Sequence, residues 1–156
     1  MILRGNGNTT GAGLVEIYDL DQQGASKLAN LSTRAFVSTG SDIVIAGFLL
    51  SNSGGNDKIV VRGLGPSLAS AGLSNTLADP TLELRDSDGT LLTTNNNWKD
   101  DPAQATQLIT FGLAPTNALE SGIVSTLPPG AYTALLAGVN DGTGLGLIEV
   151  YDLGSP

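Results

Sequence analysis

The chain has 156 residues, 21 of them Gly and none Cys or His, and fifteen acidic side chains against seven basic ones give a net charge of −8. At 40 % hydrophobic and 14 % charged residues it is too apolar to stay disordered, and its length suits one domain with a proper core. Lacking His and Cys, it has no Ser-His-Asp or Cys-His nucleophile, no thiolate chemistry and no ordinary zinc site, and its singly scattered basic residues offer no face to nucleic acid or anionic lipid.

The first element along the chain is a copy of the last. Residues 1–21 align without gaps on residues 134–154 at an offset of 133, and ten of the twenty-one positions are identical: Leu3, Gly5, Thr10, Gly11, Gly13, Leu14, Glu16, Tyr18, Asp19 and Leu20. A match at one fixed offset marks a duplicated unit. The chain therefore divides into 133 residues and 23 more, and is expected to form an arm (residues 1–21) followed by a sandwich domain (residues 22–156). Each copy reads as a β-hairpin, with turns at residues 6–11 and 140–144. In the second strand of the arm Leu14, Glu16, Tyr18 and Leu20 share one face and Val15, Ile17 and Asp19 the other. Both faces are largely apolar, so this strand expects cover on both sides. Left alone in water, such a hairpin is marginal and presents open edges.

A polar connector follows at residues 21–32. Residues 43–50 and 58–64 read as a second hairpin. Gly63-Leu64-Gly65-Pro66 then opens a helical turn over residues 66–71, ended by Gly72. Residues 81–85 and 90–94 read as a third hairpin across Asp86-Ser87-Asp88-Gly89, where Asp-Gly supplies the positive φ of a tight turn. Asp101-Pro102-Ala103-Gln104 combines an N-cap acid, an N1 proline and an N3 glutamine, so a helix starts here and Gly112 closes it. Its apolar face, Ala105, Leu108 and Ile109, is expected to plug an end of the sandwich. Strands at residues 120–127 and 131–139, joined by Pro128-Pro129-Gly130, lead into the C-terminal copy. The longest apolar run, residues 43–50, falls short of the roughly twenty residues a membrane-spanning helix needs. Many short strands at this spacing predict an all-β fold, a jelly-roll-like β-sandwich with one or two short helices.

From Pro80 onward the order PTLELRDSDGTLLTTNNNW, then ESGIVSTLPPGAYTALLAGVNDGTG, resembles the bacterial pre-peptidase C-terminal domain. The wider set LANLSTRAFV, IVIAGF, VVRGLGPSL, LADPTLEL and LPPGAYTALLAGVN, with Tyr-Asp-Leu at the end of the unit, is similar to tandem β-sandwich repeats of large secreted bacterial surface proteins. These resemblances imply a β-sandwich displayed outside the cell and bring no catalytic residues with them.

Individual residues offer few sites. Asp86 and Asp88 are the candidate calcium ligands, with Asp100 and Asp101 nearby, but Asp86-x-Asp88-Gly89 lacks the further acids of a calcium loop and reads better as a turn. Trp98 beside Asn95, Asn96 and Asn97 has the composition of a sugar-stacking platform, and equally that of a core plug, the preferred reading. Gly63-Leu64-Gly65-Pro66 echoes a phosphate-binding loop without its third glycine, Leu68 standing there. Glu16 and Glu149 lie on apolar faces and need cationic partners; Arg62 or Arg34 would supply one, and Glu149 with Arg62 is the expected structural ion pair. Asn8-Thr9-Thr10 and Asn30-Leu31-Ser32 match the glycosylation sequon, and Lys27, Lys58 and Lys99 are the lysines available to an isopeptide bond.

The expected function is structural: a self-assembling subunit of an extracellular filament or surface array, joined head to tail to identical subunits by strand donation from the arm. Ile2, Leu3, Leu14, Val15, Glu16, Ile17, Tyr18 and Leu20 are the expected interface. Two alternatives stay open: a repeat of a large adhesin or stalk, or a carbohydrate- or calcium-binding module. No enzymatic activity, cofactor, nucleic-acid partner or membrane insertion is expected. The few lysines and abundant Gly, Ser, Thr and Asn place the chain outside the cell or at its surface, although the opening Met-Ile-Leu-Arg-Gly lacks the layout of a signal peptide.

Overall fold

The computed structural model describes residues 1–18, 29–51 and 55–154. Alternating side chains build its strands. In β4 (Pro80–Arg85) Leu82 and Leu84 are buried between half-buried Thr81, Glu83 and Arg85. In β8 (Gly144–Asp152) Ile148 and Val150 point into the core while Leu147, Glu149 and Tyr151 lie on the outer face. The remaining strands are β1 (Asn30–Val37), β2 (Val44–Leu50), β3 (Asp57–Leu64), β5 (Leu91–Asn95), β6 (Ser121–Leu127) and β7 (Gly130–Gly138), and α1 (Pro102–Thr110) is the α-helix.

The strands form two four-stranded antiparallel sheets, in the orders β1-β8-β3-β6 and β2-β7-β4-β5. This is the jelly-roll order, in which successive strands change sheets except at β4 and β5 and two Greek keys interlock. Among the described residues sixteen buried side chains make the main core, fifteen from the strands of the two sheets and Leu77 from the segment before β4.

The topology corrects three readings of the sequence. Among the described residues only β4 and β5 form a hairpin, with Leu82 opposite Asn95 and Leu84 opposite Thr93. Residues 43–50 and 58–64 do not pair, because β2 and β3 belong to opposite sheets, and the C-terminal copy is no hairpin either: β7 pairs with β2 and β4, β8 with β1 and β3. It is an arch, one leg in each sheet. The polar connector also ends earlier than its composition suggests, since Asn30 already lies opposite Tyr151 at the start of β1.

The helix forms as its caps predict. Asp101 Oδ1 accepts from the N–H groups of Ala103 and Gln104 at 2.8 and 3.2 Å, and Gly112 takes φ 68° just past the last turn. Those N–H bonds favour the ionised carboxylate and lower the Asp101 pKa below its ordinary value. Its position differs from the expected end plug. It packs beside β6, where Leu108, Trp98 and Val60 form a second small core on the outer face of the β1-β8-β3-β6 sheet, and Ile109 points to solvent.

Candidate functional site

The two flanks of the sandwich are treated differently. On the β5/β6 flank, the Asn95 amide oxygen accepts from Gly122 N–H at 2.8 Å and the Gln104 amide oxygen from Val124 N–H at 2.9 Å, so side chains of β5 and α1 cap the outer edge of β6. On the β1/β2 flank, no strand or helix among the described residues pairs with either outer edge. Both edges are long, β1 with eight residues and β2 with seven, and free of proline, the kind of edge that invites another strand. The inward-facing Thr33 and Ala35 of β1 are exposed, although Ile148 and Gly146 opposite them are buried. Phe36, Ile45 and Leu49 add apolar surface on the same flank.

The arm lies beside this flank. Its residues 10–14 share a groove with Thr33 and Ala35 of β1 and Val44 and Ile45 of β2. It forms no strand ladder, so the expected hairpin is absent. What it does form is the corner of the C-terminal arch. A tight helical turn covers Asn6–Asn8 in the arm and Val139–Asp141 in the copy, the same positions at the offset of 133. Gly7 takes φ 62° and ψ 32°, and its counterpart Asn140 takes φ 53° and ψ 45°, both left-handed. The turn closes with a bond from Thr9 N–H to Asn6 O at 3.3 Å, matched by Gly142 N–H to Val139 O at 3.0 Å. A side chain on Gly5 would collide with the Thr9 carbonyl, as one on Gly138 would with that of Gly142, so the shared glycine is a steric condition of the bend.

The legs of the arm carry core residues without a core. Leu3, Val15 and Ile17 are 58, 44 and 54 % exposed, whereas their counterparts Leu136, Ile148 and Val150 are 0, 0 and 5 % exposed. Met1, Ile2, Leu14 and Tyr18 are exposed as well. Leu20, the last expected interface residue, and Lys27 lie outside the described residues.

The outer-face residues repeat the contrast. In the sandwich the structure brings Arg62 and Glu149 together across β3 and β8: Arg62 Nε donates to Glu149 Oε2 at 2.9 Å and Nη2 to the same oxygen at 2.5 Å. Arg62 also donates to Tyr151 Oη at 3.0 Å and to the Leu113 carbonyl at 3.2 Å, so its guanidinium ties β8 to the segment after α1. Burial and then the Glu149 charge raise the Tyr151 pKa. In the arm Tyr18 donates to Glu16 Oε1 at 2.9 Å, and this bond and the carboxylate's charge raise the Tyr18 pKa. The arm thus holds the Glu-x-Tyr half of the cluster, with no arginine bonded to it among the described residues.

Three further carboxylates serve the fold. Glu120, which sequence reasoning passed over, is fully buried and accepts from Gly65 N–H at 3.1 Å, Ser67 N–H at 2.9 Å, Ser67 Oγ–H at 2.5 Å and Asn117 N–H at 3.3 Å. Residues 65–67 are therefore an anion-binding turn whose anion is the chain's own glutamate, which corrects the echo of a phosphate loop at residues 63–66. Asp86 Oδ1 accepts from Asp88 N–H at 3.0 Å and Thr90 N–H at 2.9 Å, as a turn requires, and Glu83 pairs with Arg85. Among the described residues no three His, Cys, Asp or Glu side chains gather into a metal site. Trp98 is the plug: its ring is buried against Val60 and Leu108, Nε1 donates to the Asn117 carbonyl at 3.0 Å and Lys99 covers it, so the indole offers no free face to a sugar. Lys58 lies over the Phe111 ring, and Asn30 donates through its side-chain amide to the Val150 carbonyl.

No family model and no curated protein matches the chain. Its backbone is similar to the crystal structure of the pre-peptidase C-terminal domain of a collagenase from Bacillus anthracis. That similarity has a TM-score of 0.47 at 12 % identity and covers 78 % of this chain and 88 % of that one. It is this domain that the sequence resembles from Pro80 onward.

Proposed function

We propose that this chain is a non-catalytic structural module of an extracellular assembly, and that its arm joins one jelly roll to another by strand donation. The arm supports this reading: it is bent like the β7–β8 arch and carries the side chains of buried strands, yet leaves Leu3, Val15 and Ile17 in water. Exposed apolar residues in this pattern gain most from a second sandwich. The partners of Glu83, Asp86, Asp101, Glu120 and Glu149 support a structural role for the acidic residues, since each is engaged by a cation or by backbone N–H groups. A second reading rests on the offset itself. The arm matches the end of the unit straight through its corner, as it does if residues 1–21 end the preceding repeat of a tandem array.

Sizing across a dilution series distinguishes the two. A self-assembling subunit grows in mass with concentration, and the same chain without residues 1–18 stays monomeric. Equal sizes at every dilution remove self-assembly and leave the tandem repeat.

A further inference from the structure

We infer that the acceptor for the arm is the β1/β2 flank of a second copy of this chain, where the arm adds one strand to each sheet at once. This rests on the proposed strand donation and names the surface that receives it.

In the sandwich the β7–β8 arch stands against the β1–β2 arch, its first leg antiparallel to β2 and its second antiparallel to β1. That contact uses one flank of β1 and β2 and leaves the other unpaired among the described residues. A second arch of the same bend, set against the free flank, again meets β2 with its first leg and β1 with its second. The arm is such an arch. Its Leu3, Val15 and Ile17 then face inward, as Leu136, Ile148 and Val150 do, and close the gap that leaves Thr33 and Ala35 exposed. Glu16 comes to the outer face that carries Arg34, as Glu149 stands beside Arg62. The opposite flank is unsuited, because Asn95 and Gln104 already cap β6 and α1 packs beside it.

A second copy is the occupant because the chain's own arm lies next to this flank without ladder bonds and with its apolar legs exposed. The contact is heterologous, with the arm of one copy on the edge of the next, so each added copy presents a further arm and a further edge, and the assembly grows until a rotation closes it into a ring.

Two full-length variants test this. Val15→Lys with Ile17→Lys blocks the arm, and Ala35→Lys places an inward charge on the exposed part of β1, a device that stops edge pairing. Each alone is expected to stay monomeric where the unmodified chain forms oligomers. Mixed one to one they form heterodimers and nothing larger, since each supplies the half the other lacks. Arg34→Glu weakens assembly about fivefold or more, and Glu16→Arg restores it; this pair carries the test if Ala35→Lys fails to fold. If the blocked arm abolishes assembly but neither Ala35→Lys nor Arg34→Glu weakens it, the acceptor lies elsewhere and strand donation stands. If the blocked arm still assembles, or the unmodified chain is monomeric throughout, strand donation itself falls.

Discussion

Leu3 and Leu136 are the same residue at the same position of the two copies, in opposite surroundings, so one substitution made twice separates fold from assembly. Leu136 is fully buried in the main core. It fills the space over two glycines of the facing sheet: a Cβ on Gly63 would stand 2.8 Å from its Cδ1, and one on Gly146 2.9 Å from its Cδ2. Hydrogen-bonded sheets on both sides cannot collapse into the hole, which puts Leu136→Ala at about 3–4 kcal/mol within the usual range for buried leucines. For a domain of this size about 1 kcal/mol moves the melting temperature by about 3–6 °C, so a fall of about 10–20 °C is expected. Leu3→Ala removes the same atoms from water and is expected to change stability by less than about 0.5 kcal/mol. The assay is thermal denaturation by circular dichroism, at a dilution where the chain is monomeric. A large loss from Leu3→Ala would refute the reasoning, because the arm would then belong to its own core. At concentrations where the chain assembles, Leu3→Ala is expected to weaken association about tenfold or more, since a leucine buried at the new interface loses most of its transfer free energy.

Glu120→Ala leaves the N–H groups of Gly65 and Ser67 without their acceptor and is expected to cost about 3 kcal/mol or more, read in urea denaturation, with Glu120→Gln costing less. Arg62→Ala strands Glu149 in a largely covered position and is expected to cost about 2 kcal/mol, whereas Arg62→Met with Glu149→Leu comes out nearly neutral; a double-mutant cycle measures the coupling. Asp101 has a lowered pKa in the fold, so its stabilisation of α1 is present above the ordinary aspartate value near 4 and is lost as pH falls through the folded value. The protection of the Ala103 and Gln104 amides, taken relative to their intrinsic exchange rates at each pH, should fall in acid, and Asp101→Asn should keep the cap while flattening that pH dependence.

The parts of this molecule that declare themselves in the sequence are local or repeated. Asp101, Pro102, Gln104 and Gly112 state the helix within a dozen residues, Asp88-Gly89 states the β4–β5 hairpin, and the offset of 133 exposes the duplicated arch. The partner of a strand is not local. Residues 43–50 and 58–64 alternate in the same way whether they pair or face each other across the core, so the turn between them reads as a hairpin although it changes sheets. Glu120 stayed hidden because its partners Gly65 and Ser67 lie 55 and 53 residues away. The side of α1 was misjudged at Ile109 for a related reason: Trp98 and Val60 already fill the small core that Leu108 enters. For the arm, the sequence showed which residues were duplicated, and the bend at Asn6–Asn8 adds that the copy is already shaped.

Amide hydrogen exchange of the intact chain, followed residue by residue from a dilute to a concentrated solution, tests the central claim most directly. Association through the arm predicts that amides of residues 11–18, β1 and β2 gain protection together as concentration rises, while those of β5 and β6 stay unchanged. Protection that is the same at every concentration, or that rises along β5 and β6 instead, would contradict it.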